Sequence, residues 1–304
     1  MSQPEDHGTE IDAPKDAFQN VPKPGDPDFV RYDGRRLSYA GTFSDPKKVL
    51  IIRTIEWLTG KLPLLRRIRR FERMGTPMGQ PFFSQALEVM GVEVQTPEEQ
   101  IAKIPATGPL VVVANHPHGL VDGLVMAELI GKVRTDYKIL TRSLLTGIRE
   151  IDPFMLPVPF PHEPDSHRAS IRMRNEAMAT LKAGGVIILF PAGAVASSET
   201  WWGPVKEKPW NPFTAKMVLK SGATVLPIYF PGRNTRLYQI ADKISASFRQ
   251  GLLLHEIARA MDKPQAPVIG DPLTPEDLKE WQSKTREFMD WMRSHTLALG
   301  GRTD

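Results

Sequence analysis

Leu110-Val111-Val112-Val113-Ala114-Asn115-His116-Pro117-His118-Gly119-Leu120-Val121-Asp122-Gly123 begins as a continuous apolar run and ends in a polar turn. Five apolar residues, three of them valine, suit a short strand covered on both faces, because a half-exposed strand would alternate with polar residues. Residues 123–133 then carry helical periodicity. The same punctuation recurs outward from this point. Residues 137–140 and 154–160 read as strands, and residues 166–183 as a helix stopped by Gly184-Gly185. A second buried strand follows at 186–190, then a helix at 214–220 and a strand at 224–230. Near the C-terminus Thr274-Pro275-Glu276-Asp277 supplies an N-cap threonine, proline at the first helical position and acids in the first turn. It predicts a helix from there to about His295. Strands alternating with helices define an α/β class with a largely parallel central sheet flanked by helices, which gathers ligands beyond the carboxyl ends of its strands.

Three strand ends carry the residues with chemistry. After the first strand stand His116, His118 and Asp122. A neutral imidazole takes a proton from an alcohol near neutral pH, and a carboxylate fixes its tautomer and stabilises the imidazolium that forms. Asp122 serves His116 in this way if the Pro-His-Gly turn folds back; otherwise it only complements a helix N-terminus. After the strand at 186–190 comes Phe190-Pro191-Ala192-Gly193-Ala194, whose Gly193 offers backbone N–H groups to a developing oxyanion. After the strand at 224–230, Arg233 and Arg236 offer cations to a phosphate or carboxylate. His118 reads as a turn or substrate-shaping residue, and Ser197 and Ser198, outside any Gly-x-Ser-x-Gly elbow, as turn residues.

The chain has 304 residues and no cysteine, which excludes disulfides, thiolate metal sites and cysteine nucleophiles. A net charge of +4 says little, but its distribution says more. Residues 1–45 are rich in proline and lack a sustained period, so they read as a mobile N-terminal extension. Its acidic, polar start lacks a secretory signal and points to a cytoplasmic location. Residues 46–80 read as two basic amphipathic helices separated by Gly60 and Pro63. Lys61, Arg66, Arg67, Arg69, Arg70 and Arg73 face the single acid Glu72 there. With Trp57 at the acyl boundary and Arg66, Arg67, Arg69 and Arg70 on lipid phosphates, this segment is expected to bind an anionic membrane surface. No apolar run approaches the roughly 18 residues of a spanning helix. No aromatic platform accompanies the arginines, so nucleic acid is not an expected partner.

NHPHGLVDG, FPAGAVASS and VLPIYFPGRN, in this order, resemble the blocks of the PlsC-type lysophospholipid acyltransferase superfamily, and residues 81–304 would form the acyltransferase domain. Five residues separate His116 from Asp122 instead of the usual four, a spacing similar to a hemolysin-like branch that includes makers of ornithine-type aminolipids. The resemblance implies His116 and Asp122 as the catalytic pair. It also implies Asn115, Gly193, Ala194, Arg233, Arg236 and, through a looser match, Arg142 as oxyanion or substrate-binding residues. Ala192 and Ala194 stand where the family and the branch carry acids. The implied reaction needs no resident cofactor: acyl-CoA or acyl-carrier protein donates the acyl group and a lyso-lipid accepts it, at the cytoplasmic face of the inner membrane. A lyso-aminolipid acceptor is favoured over lysophosphatidate, because methyl groups in the FPAGA block leave a glycerol-phosphate headgroup short of partners. Two other classes compete, a metal-dependent hydrolase built on His116 and His118, and a lipid-binding protein without catalysis.

Overall fold

The computed structural model describes residues 23–27, 29–141, 145–159 and 165–301. Its strands are β1 (Leu110–Ala114), β2 (Tyr137–Thr141), β3 (Met155–Pro157), β4 (Val186–Leu189), β5 (Ser197–Ser198), β6 (Val205–Lys206), β7 (Thr224–Tyr229) and β8 (Val268–Ile269). Six of them form one sheet in the order β3-β2-β4-β1-β7-β8, parallel throughout except for the antiparallel pair β7 and β8. Strand β1 therefore lies between β4 and β7, with Val111 opposite Ile187 on one side and Val225 on the other. That adjacency puts the three motif-bearing loops side by side at the carboxyl edge.

The period of two along β1 assigns its side chains to two separate cores. Leu110, Val112 and Ala114 join one cluster with Phe83, Leu124 and Leu254, whereas Val111 and Val113 join another with Met173, Val218 and Phe288. The first layer is α3 (Pro81–Met90), α5 (Leu120–Gly131) and α10 (Leu253–Ala260); the second is α6 (Ser166–Lys182), α7 (Pro212–Ser221) and α11 (Thr285–Ala298). All five β1 residues are buried. Burial on both faces is what the unbroken apolar run requires, at about 1.5–3 kcal/mol for each large aliphatic side chain.

Several sequence expectations are corrected. The segment read as mobile through residue 45 is anchored well before it ends: the Tyr32 N–H donates to Glu72, and the Ser38 hydroxyl and Tyr39 N–H donate to Glu56. Gly60 and Pro63 do not separate two helices. Helix α1 (Pro46–Glu56) runs through a π-helical turn at Trp57–Lys61 into α2 (Leu62–Met74). The wider turn loosens the ladder where Pro63 has no N–H to give, and Gly60 is needed for packing, since a Cβ there would overlap the Leu254–His255 backbone of α10. At the other end, Thr274 and Asp277 exchange the expected capping bonds, yet the helix begins only at Thr285, after turns and a 3-10 segment at Lys279–Trp281. Trp281 stacks on Trp291 of that helix with ring centroids 5.3 Å apart, and packing of this ring overrides the local helix signal. Ser197 and Ser198 are buried in the β5–β6 pair instead of lying in a turn.

Candidate active site

Gly119 adopts φ +84°, a conformation that glycine enters without penalty. It reverses the chain after His118 and starts α5, which sets Asp122 in the first helical turn, fully buried under both histidines. The carboxylate gathers four hydrogens. Oδ2 lies 3.0 Å from His116 Nδ1 and accepts the backbone N–H groups of His118 (2.9 Å) and Gly119 (3.0 Å), while Oδ1 lies 3.1 Å from His118 Nδ1. Asp122 thus complements the helix start and orients the imidazoles at once. Burial opposes its charge, but the hydrogen bonds from His116 and His118 outweigh that and hold its pKa down to about 2. Burial likewise opposes a charged His118, yet the Asp122 carboxylate raises its pKa overall.

The His116 ring stacks on Phe190, with centroids 4.0 Å apart, so the block at the end of β4 supports the imidazole. Its backbone is fixed from both sides: the carbonyl accepts the Ala196 N–H at 2.9 Å, and the N–H donates to Glu207 Oε2 at 3.2 Å. Glu207 is buried and also accepts the Trp210 indole N–H at 3.1 Å. Burial pushes its pKa up, against the hydrogen bonds from His116 and Trp210. Sequence reasoning missed Glu207. The FPAGA block lacks an acid, and this carboxylate reaches His116 from 91 positions away, with no local pattern to mark it.

Other sequence-derived site residues divide. Asn115 is occupied by the scaffold, since its amide exchanges two hydrogen bonds with the Phe230 backbone, at 2.8 and 2.7 Å, and ties β1 to the end of β7. Gly193 has spent its N–H on the Phe190 carbonyl at 2.9 Å, which corrects its reading as an oxyanion donor, whereas among the described residues the exposed Ala194 N–H is bound to no carbonyl. Arg233 and Arg236 line a cleft of about 550 Å³ together with His118; Arg236 also donates to the Gly203 carbonyl at 2.8 Å. Arg142 lies outside the described residues. On the helical rod, Trp57, Arg66, Arg69 and Arg70 are exposed. Arg67 is different: it pairs with Asp262 and donates to the Val89 carbonyl, and so belongs to the protein's own packing. Among the described residues no group of three or more His, Asp or Glu side chains converges as metal ligands would.

An imidazole whose Nε2 makes no hydrogen bond among the described residues, a buried carboxylate behind it and a cleft bearing cations suit transfer of an acyl group to a hydroxyl. Residues 76–297 match the family model described as Acyltransferase, and the chain belongs to that family. The match spans all three blocks that carried the resemblance, and the protein is an acyltransferase. It is similar to the lyso-glycine lipid O-acyltransferase of Phocaeicola vulgatus, with 23% identity over 223 residues, 70% of this chain and 75% of that protein. The protein of the same name in Bacteroides thetaiotaomicron is 22% identical over 162 residues, 53% of this chain and 56% of that one. Among solved structures, the 1-acyl-sn-glycerophosphate acyltransferase PlsC of Thermotoga maritima aligns with a TM-score of 0.47 and 17% identity, over 89% of each chain.

Proposed function

We propose that the chain transfers a fatty acyl group from a thioester, acyl-CoA or acyl-carrier protein, to the hydroxyl of a lyso-lipid, with His116 as the base. The observation that carries this is the 3.0 Å contact between His116 Nδ1 and the buried Asp122 carboxylate. With Nδ1–H turned to Asp122, Nε2 keeps its lone pair. That nitrogen takes the proton as the acceptor oxygen attacks the thioester carbonyl. The tetrahedral oxyanion is met by backbone N–H groups of the FPAGA turn, Ala194 first among them. Collapse breaks the C–S bond, and the departing thiolate recovers the proton from His116. No acyl-enzyme forms, because the thioester is already activated and alignment of the reactants supplies much of the acceleration.

A lyso-aminolipid of the ornithine- or glycine-lipid type is the acceptor we favour. Ala192 and Ala194 present methyl groups where a glycerol-phosphate headgroup would need polar partners, and Arg233 and Arg236 stand ready for a headgroup carboxylate. The names of the two relatives favour the same class. The working position is peripheral, at the cytoplasmic face of the inner membrane. Among the described residues no helix is long and apolar enough to cross a bilayer, while Trp57 and Leu58 stand 59% and 77% exposed on the same rod as exposed Arg66, Arg69 and Arg70. One experiment tests the acceptor: equal amounts of lyso-glycine lipid and lysophosphatidate offered with one labelled acyl donor. The lyso-aminolipid should take most of the label; a clear preference for lysophosphatidate would overturn the assignment.

A further inference from the structure

The cleft beside His118 is walled by hydrogen-bond donors. Arg233 and Arg236 enter it from the loop after β7 and the start of α8 (Arg236–Ile244); Arg259, at the end of α10, and Lys263 enter from a second segment. Its acid, Glu256, is already satisfied, accepting the N–H and the hydroxyl of Thr235. Among the described residues Arg233, Arg259 and Lys263 form no ion pair. Two buried amides add to the set. Asn234 is 4% exposed and Gln239 1%, and both line the cleft. The Gln239 oxygen accepts the Ser198 N–H at 2.8 Å, which commits its nitrogen to donate, and among the described residues neither Gln239 Nε2 nor Asn234 Nδ2 has a hydrogen-bond partner. A buried donor without an acceptor is costly. Four cations and two such donors suit a ligand that brings several acceptor oxygens and more than one negative charge.

One carboxylate is satisfied by one guanidinium in a paired arrangement. Charge on the second segment is therefore surplus to the acceptor proposed above. We propose that Arg259, Lys263, Asn234 and Gln239 hold the phosphate of the acyl donor, the group that the pantetheine arm carries in both coenzyme A and acyl-carrier protein. Lys263 is close enough to the His118 imidazole to oppose its charge, and His118 shares Asp122 with His116. From a phosphate seated here the pantetheine arm would run toward His116, bringing its thioester to the base. Phosphate also draws on the N-terminus of α8, whose first residues form the cleft wall.

This assignment rests on the acyl-transfer reading, and its test separates the two. Palmitoyl-CoA, palmitoyl-4′-phosphopantetheine and phosphate-free palmitoyl-N-acetylcysteamine are compared as donors for wild type and for the double variant Arg259→Gln/Lys263→Gln. Both residues are exposed, and a matching thermal melt controls for folding. The KM for each phosphate-bearing donor should rise at least tenfold, and that for the phosphate-free donor less than twofold. Equal losses on the two phosphate-bearing donors assign the cleft to the pantetheine phosphate alone, and a larger loss on palmitoyl-CoA adds the nucleotide phosphates. Equal loss on all three donors, no loss on any, or a rise confined to the KM of a phosphate-headgroup acceptor would overturn the assignment. Calorimetric titration with coenzyme A reads the cleft without turnover: wild type should bind at least tenfold more tightly than the variant, and equal binding would overturn the proposal even if acyl transfer itself is confirmed.

Discussion

At the scale of single residues, Asp122 carries the heaviest load, because one buried carboxylate accepts hydrogens from two imidazoles and two backbone amides. Its pKa of about 2 lies below the ordinary 3.8. A depressed folded pKa means stability that is present above the unfolded value and lost as pH falls through the folded one. Asp122 therefore contributes roughly 2 kcal/mol that disappears between about pH 4 and pH 2. His118 runs the other way: its raised pKa stabilises below the ordinary imidazole value of 6.5 and is lost as pH climbs past the folded value. For Asp122→Asn, turnover should drop by about 10⁴, as the imidazole loses its orienting charge. The gap in urea stability between wild type and this variant should close on acidification from pH 4 to pH 2; a gap that stays constant would show that the carboxylate is not held ionised. His116 and Asp122 were legible in the sequence because one short turn joins them. Glu207 was not, since only the folded chain brings it to the His116 amide.

Among the elements, legibility follows burial. Strands β1, β4 and β7 are buried along most of their length, so their apolar runs announce them, and the loops that follow them form the site. Strand β8 has two residues and carries no pattern of its own. The joined α1–α2 rod was misread because Gly60 and Pro63 are local helix breakers, whereas tertiary contact with α10 decides at this place. Gly60→Ala tests that account, for helix propensity alone would favour alanine. Its Cβ would meet the Leu254–His255 backbone, so the variant should lose about 1–3 kcal/mol by overpacking. Chemical denaturation measures this, and an unchanged or raised midpoint would show that the rod is not seated on α10. The capping residues at Thr274 give the converse lesson: their bonds form, but a cap starts a helix only where the following residues can pack as one.

For the whole molecule, the question is how a chain whose described helices are too short or too polar to span a bilayer reaches a lipid. Exposed Leu50, Trp57 and Leu58 share the rod with Arg66, Arg69 and Arg70, and each cation near an anionic surface contributes about 1 kcal/mol. Replacing those three arginines by glutamine should weaken binding to anionic vesicles by about two orders of magnitude, with high salt having the same effect. Arg67→Gln should instead lower thermal stability, since Arg67 is paired with Asp262. Sedimentation that is equal for wild type and triple variant would place the membrane contact elsewhere. Binding and chemistry come together in one assay, transfer of a labelled acyl group from its thioester to lyso-glycine lipid in anionic vesicles, run with wild type and His116→Ala. Wild type should transfer the label, and His116→Ala should stay folded, with a lowered melting temperature because buried Asp122 loses one partner, while turning over at least about 10⁴-fold more slowly. Near-full turnover by a folded His116→Ala protein would contradict the account at its centre.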